Sequence, residues 1–318
     1  MRRFLGVTTG ILSYVILIFV INPLQVLSAV FYPLAPRVCR AINLVFARFI
    51  WGWWVLLGEV QSDCEMRFVG DRPPWRENAL IIANHQTMAD VLTIICMAWR
   101  CGRVEDTKFF VKDMMRYVPG PGWGMLFLDC VFVKRDWTRD KAGIERTFRK
   151  FKEEDIPIQL VSFLEGTRQT PEKLAKSQAF ARERGLYVPQ HTMVPRTKGF
   201  VASMHGLRGH IDAVYDLTIG YPDGAPTLVD CYQAQVDRVE IKLDRYPVDE
   251  LPTDDEALSA WVFERYEAKD KALARLAETG RFEGEPFPDK VRFRDWWASK
   301  KERPAAMDEG APSKSAAS

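Results

Sequence analysis

Apolar and polar positions along the chain switch between a strand period and a helix period, and the switches outline an α/β protein. Leu80-Ile81-Ile82 is a short continuous apolar run, the pattern of a strand covered on both faces, and Thr87 to Trp99 then reads as a mostly apolar helix. Ile156 to Phe163 predicts a second buried strand and Cys130-Val131-Phe132-Val133 a third that runs into two cations. Met66 to Val69 and Thr107 to Val111 predict two more. Trp137 to about Glu154 sets Ile144, Phe148 and Phe151 on one face, an amphipathic crossover helix. Asp212 to Ile219 and Arg238 to Arg245 alternate, which predicts strands with one more exposed face. Thr253-Asp254-Asp255-Glu256 reads as a capping box, and Leu258, Trp261, Val262, Tyr266, Leu273 and Leu276 fall on one stripe of the helix that ends before Gly280. The expected fold class is α/β: a mixed, largely parallel sheet flanked by helices, with N-terminal membrane-associated helices.

The N-terminal pattern differs in kind. From Phe4 to Pro36 there is no charged residue, although Asn22-Pro23 interrupts the run. The segment is long enough to cross a bilayer; it also fits two half-helices bent at Pro23 and held in one leaflet. Phe49 to Gly58, with three tryptophans beside arginines, is too short to span and suits an interfacial helix or a core helix of the folded domain. Arg2 and Arg3 precede the first segment and Arg37, Arg40 and Arg48 follow it, which leans toward a catalytic domain on the cytoplasmic side. The expected organisation is membrane-associated helices over 1–60, an α/β domain over 61–300 and a disordered polar tail over 301–318, with Phe293, Trp296 and Trp297 a further interfacial patch.

Composition narrows this picture. The 318 residues, 47% hydrophobic, allow a sizeable core. A net charge of +2, from 44 basic against 42 acidic residues, argues against nucleic-acid binding driven by gross charge. The 6 cysteines show no CxxC pair and read as reduced, partly buried thiols.

The candidate chemistry begins where the run Ala79-Leu-Ile-Ile-Ala83 stops at Asn84-His85-Gln86-Thr87-Met88-Ala89-Asp90, which holds one of only 4 histidines. His85 and Asp90 are five residues apart, about 140° around one regular helix, so they meet only if His85 precedes the helix. Then Asp90 can accept the Nδ1 proton and leave Nε2 as a general base. With no serine or cysteine in the stretch, the nucleophile would be a substrate hydroxyl. Taken alone, the stretch also reads as a histidine capping a helix beside a solvated aspartate. His205 and His210 lack such a partner and read as structural, and no cluster has metal-ligand spacing.

Leu164-Glu165-Gly166-Thr167-Arg168 follows the Ile156 strand, and Thr170-Pro171 opens a helix as N-cap and first residue, with Gly185 to end it. Gly166 permits a tight turn, and Arg168 can bind a phosphate through two parallel hydrogen bonds. Val194-Pro195-Arg196-Thr197-Lys198-Gly199-Phe200 is a second basic turn, and Lys134-Arg135 ends the third strand. Pro119-Gly120-Pro121-Gly122-Trp123-Gly124 reads as a turn or mobile loop.

In order, His85/Asp90, Lys134-Arg135-Asp136-Trp137, Glu165-Gly166-Thr167-Arg168 and Pro195-Arg196-Thr197-Lys198-Gly199-Phe200, with Ala260-Trp261 beyond, resemble the four sequence blocks of the glycerolipid acyltransferases. From about Asn84 to about Gly280 the chain looks like the eukaryotic lysophosphatidate acyltransferase branch. The resemblance implies that His85 is the general base and Asp90 its orienting partner. It implies glycerol phosphate binding by Glu165, Gly166, Thr167 and Arg168, with Arg135 a phosphate contact and Lys134, Arg196 and Lys198 weaker candidates. The implied reaction joins acyl-CoA to the sn-2 hydroxyl of 1-acyl-sn-glycerol 3-phosphate, drawn from the bilayer of the endoplasmic reticulum, with no metal and no cofactor beyond acyl-CoA as co-substrate. A backbone N–H at the start of the Thr87 helix would support the oxyanion. The branch commonly carries further apolar segments near its C-terminus, and this chain has none. Three other readings stay open: the same chemistry on a lysophospholipid with an inositol, choline or ethanolamine head group; a metal-assisted hydrolase; and a non-catalytic lipid-binding protein.

Overall fold

The computed structural model describes residues 2–62, 64–134 and 136–287. Arg135, the aromatic patch at 293–297 and the tail lie outside the described residues. The chain opens with α1 (Arg2–Ile16), a π turn at Leu17–Ile21, α2 (Asn22–Val30) and α3 (Pro36–Val55), which runs on through a π turn at Leu56–Gln61. The α/β part follows as β1 (Glu65–Gly70), β2 (Ala79–Ala83), α4 (Ala89–Arg100), β3 (Thr107–Lys112), α5 (Pro121–Phe127), β4 (Val131–Val133) and α6 (Trp137–Glu153). It continues through β5 (Gln159–Ser162), α7 (Pro171–Glu183), α8 (Thr197–Leu207), β6 (Ala213–Gly220), α9 (Leu228–Tyr232), β7 (Arg238–Pro247) and α10 (Asp255–Thr279).

One seven-stranded sheet has the order β1-β7-β6-β2-β5-β3-β4, and every neighbouring pair is parallel except β6 and β7. β2 lies near the middle, paired with β5 and β6 in parallel, so the carboxyl ends of all three open on one edge. Ile81 and Ala83 face one core, with α3 and α4, while Leu80 and Ile82 face the other, with α6, α8 and α10. Two buried faces explain the unbroken apolar run of β2.

Three expectations are corrected. β6 has no exposed face: all eight of its residues are buried. Its polar positions are satisfied inside, Asp216 by Lys269 of α10 and the Tyr215 hydroxyl by Glu77 at 2.5 Å, so alternation here marks buried polar pairs. The N-cap of α10 is Asp254, whose carboxylate accepts Ala257 N–H at 2.8 Å, one residue after the threonine that the capping box proposed. The Gly-Pro stretch is in part a helix: Gly120, at φ 86°, takes a conformation that glycine tolerates, and Pro121 at the first helical position starts α5.

At the N-terminus, Pro23 does not end the helix. The π turn just before it widens the ladder, and α2 continues directly from it. Phe49 to Gly58 is no separate short helix but the end of α3 and the start of the π turn that continues it, with Trp51 5% exposed inside the core. The three arginines that obscured α3 in the sequence include two held by carboxylates of the α/β part: Arg40 by Glu154 at 2.5 Å and Arg48 by Glu105 at 2.7 Å.

The helices form a hairpin. Thr9 Oγ1 meets Gln61 Oε1 at 3.0 Å near one end, and Asn43 Nδ2 reaches Ser28 Oγ at 3.2 Å near the other. Among the described residues, two segments are long and apolar enough to cross a membrane, Phe4–Val30 with mean hydropathy 2.4 and Pro36–Glu59 with 1.5. Their outer sides expose Phe4, Ile11, Phe19, Leu27, Phe31 and Leu34, an apolar patch of the kind that seeks lipid. The inner sides lie along the α/β part. A Cβ on Gly6 would sit 1.7 Å from Tyr232 O and one on Gly52 2.8 Å from the Trp99 ring, while Gly120 N–H donates to Asn22 Oδ1 at 2.6 Å.

Candidate active site

The loop between β2 and α4 is shaped by hydrogen bonds to its own aspartate. Asp90, in the first turn of α4 and wholly buried, accepts at Oδ2 the backbone N–H of Gln86 at 2.7 Å and of Thr87 at 2.9 Å. The same oxygen lies 2.9 Å from His85 Nδ1. A carboxylate held by amides accepts, so Nδ1 donates and Nε2 is the nitrogen left to take a proton. The five-residue offset thus closes as expected, with His85 ahead of the helix.

The cost of that closure falls on the oxyanion expectation. The amides of Gln86 and Thr87, the nearest candidates at the helix start, are both taken by Asp90. On its other side the imidazole stacks on Phe163, ring centroids 3.9 Å apart and planes 16° from parallel, which fixes the ring's tilt. Its side chain is 12% exposed, so the ring edge can still be reached. Asn84, fully buried, bonds both the N–H and the C=O of Ile219 at 2.8 Å and so anchors the loop to β6. Thr87 Oγ1 donates to Pro226 O.

The turn after β5 meets this loop directly. His85 N–H donates to Glu165 Oε1 at 3.3 Å, and Gln169 N–H to His85 O at 2.9 Å. Gly166 has φ 71°, and a Cβ there would lie 3.2 Å from Arg196 Nε, so the second basic turn packs onto the first. Arg168 and Arg196 are exposed, and Lys173 Nζ bonds Thr167 Oγ1 at 2.7 Å and Arg168 O at 3.0 Å. Cations and a tight turn so placed suit an anion. Lys198 is exposed on the first turn of α8. Lys134 directly follows β4, three strands from β2 in the sheet order, about 14 Å across at ordinary strand spacing; Arg135 beside it is not among the described residues.

Glu165 differs from its neighbours. It is 4% exposed and its Oε2 is without a hydrogen-bond partner among the described residues. Burial holds its carboxyl well above the ordinary glutamate value of 4.5. The folded protein therefore keeps this proton where the unfolded chain has lost it, and stability declines as pH rises above the ordinary value. Glu165→Gln, an uncharged isostere, removes that decline. The melting-temperature difference between variant and parent is expected to move in the variant's favour from about pH 5 to about pH 8; a difference constant with pH would contradict a buried protonated carboxyl.

Tyr221 is the residue sequence reasoning missed. It follows β6 directly and donates its hydroxyl to Asp90 Oδ1 at 2.7 Å. Only the adjacency of β6 to β2 brings it there. Phe163 was legible as a strand end but not as the partner of His85.

Two family models match the chain, one described as Acyltransferase over residues 65–219 and one as Acyltransferase C-terminus over 232–298. These matches, with the relatives that follow, make the protein a glycerolipid acyltransferase, a family that implies an acyl donor and a lysophospholipid acceptor. Among curated relatives, the probable 1-acyl-sn-glycerol-3-phosphate acyltransferase 5 of Arabidopsis thaliana is 31% identical over 79% of this chain and 70% of its own length. The 1-acyl-sn-glycerol-3-phosphate acyltransferase gamma of Homo sapiens is 30% identical over 87% of this chain and 74% of its own. A crystal structure of the 1-acyl-sn-glycerophosphate acyltransferase PlsC from Thermotoga maritima matches with TM-score 0.49 and 15% identity, over 87% of this chain and 98% of that one. The chain belongs to the plant and animal lysophosphatidate acyltransferase branch of this family.

Proposed function

We propose that the protein transfers the acyl group of acyl-CoA to the sn-2 hydroxyl of 1-acyl-sn-glycerol 3-phosphate, giving phosphatidate and CoA. The observation that carries the reading is the His85 Nδ1 to Asp90 Oδ2 bond at 2.9 Å, joined through the His85 backbone to the turn that bears Arg168. In this mechanism Nε2 takes the hydroxyl proton as the oxygen attacks the thioester carbonyl carbon. The tetrahedral intermediate then expels the thiolate, which takes the proton back from the imidazolium and leaves as CoA. Asp90 holds the tautomer and balances the transient cation. Arg168, with Thr167 and Gly166 and with Arg196 behind the turn, binds the phosphate and so presents the hydroxyl. Glu165 acts from beneath, through the His85 backbone. Lys134 and Lys198, both exposed, would meet the phosphates of CoA or of the bilayer.

The experiment is a panel of lysophospholipids offered with oleoyl-CoA to the purified protein, with products identified by mass spectrometry. Phosphatidate formed faster than any inositol, choline or ethanolamine product supports the reading. A faster product with another head group keeps the chemistry and replaces the substrate.

The hairpin serves the same end by placing the site at the bilayer, on the cytoplasmic face of the endoplasmic reticulum where acyl-CoA is supplied. Its inner side is tied to the α/β part from Gly6 through Asn22 to Gly52, which favours lying in one leaflet over crossing. A glycosylation acceptor in a polar linker inserted after Leu34, between α2 and α3, is expected to stay unmodified in microsomes. Glycosylation would show instead that the turn crosses.

A further inference from the structure

Asp90 is gripped on both oxygens, and no sequence block includes the side chain that holds the second. His85, Gln86 N–H and Thr87 N–H all bond Oδ2, whereas Tyr221 donates to Oδ1 at 2.7 Å. Both partners are buried, Tyr221 8% and Asp90 0% exposed. Burial and then the charge of Asp90 keep the phenol protonated far above its ordinary range, so its hydroxyl stays a donor wherever the enzyme works.

We propose that Tyr221 is a positioning residue for acyl transfer, locking the Asp90 carboxylate with Oδ2 toward the imidazole and drawing part of its charge away from His85. The proposal rests on the general-base reading of His85. Without the phenol, the bonds named above all sit on one oxygen, so the carboxylate can swing about them while a buried Oδ1 loses its donor. The charge left on Oδ2 is then larger, and it holds the imidazole proton more firmly. The other titratable groups packed around the pair are Glu165 at the β5 turn, Cys231 of α9 behind Tyr221, and Tyr266 and Lys269 of α10 behind Glu165. Arg168 and Arg196 lie on the solvent side of the turn. Tyr221→Phe leaves all of these in place.

With this variant kcat is expected to fall roughly tenfold while KM for both substrates changes less than about twofold. The acid limb of the kcat profile, which reports the His85–Asp90 pair as a unit, is expected to move up by about half a pH unit. Position 221 carrying 3-fluorotyrosine, a more acidic phenol and a stronger donor, moves the limb down. In an Asp90→Asn background, Tyr221→Phe adds no further loss. An acid limb that stays put in both variants, or an undiminished loss in the Asp90→Asn background, overturns the proposal and leaves Tyr221 a packing residue. Parent protein assayed alongside separates the two failures: a parent that releases no CoA with any acceptor defeats the acyl-transfer reading itself, and the proposal with it.

Discussion

His85→Ala is expected to lower acceptor-dependent CoA release by about 10²- to 10⁴-fold, with little change in KM for either substrate. The size follows from the role: a hydroxyl is a poor nucleophile until its proton has somewhere to go, and Nε2 is the acceptor that the Asp90 bond leaves available. KM holds because the proposed phosphate-binding turn is built on Gly166 and on Arg196 N–H bonded to Leu164 O at 2.8 Å, neither of which needs the ring. The ring removed is the one stacked on Phe163, so a modest loss of melting temperature accompanies the change. Initial rates at saturating acyl-CoA check this, and a variant as active as the parent would remove His85 from the chemistry.

Arg168→Ala should act on the other term. Charge-assisted hydrogen bonds to a phosphate contribute about 1.5–3 kcal/mol, so KM for lysophosphatidate is expected to rise roughly 10- to 100-fold while KM for acyl-CoA is unchanged. Arg168→Lys restores part of the loss, since an ammonium keeps the charge without the two parallel bonds. A rise confined to acyl-CoA would move Arg168 to the donor's side of the site.

The sequence carries most of this site because its chemistry is local. His85 and Asp90 lie on one loop, and an offset of five forces the histidine ahead of the helix. Gly166 and Arg168 stand in one turn, and a glycine at φ 71° announces itself. Tyr221 stayed hidden because its contact spans 131 residues and exists only once β6 is laid beside β2. The same cause misled the reading of β6: Asp216 looks like a solvent position until Lys269 arrives from α10 to neutralise it. Lys269 in turn sits in the middle of the apolar stripe of α10, 1% exposed, and looks like an interruption. In the hairpin, Arg40 and Arg48 cut the apolar pattern of α3 into pieces, yet each has its carboxylate across the contact. Buried or half-buried charge was illegible wherever its partner came from another element.

The proposed reaction passes an acyl group directly from CoA to a lysophospholipid hydroxyl. It is tested most directly by following CoA release from oleoyl-CoA by the detergent-purified protein with and without lysophosphatidate. Release that depends on the acceptor, matches phosphatidate formed mole for mole and leaves no acyl group on the protein is the expected result. Release at the same rate without acceptor, or none with any lysophospholipid, would contradict it and turn attention to hydrolysis or to lipid binding without catalysis.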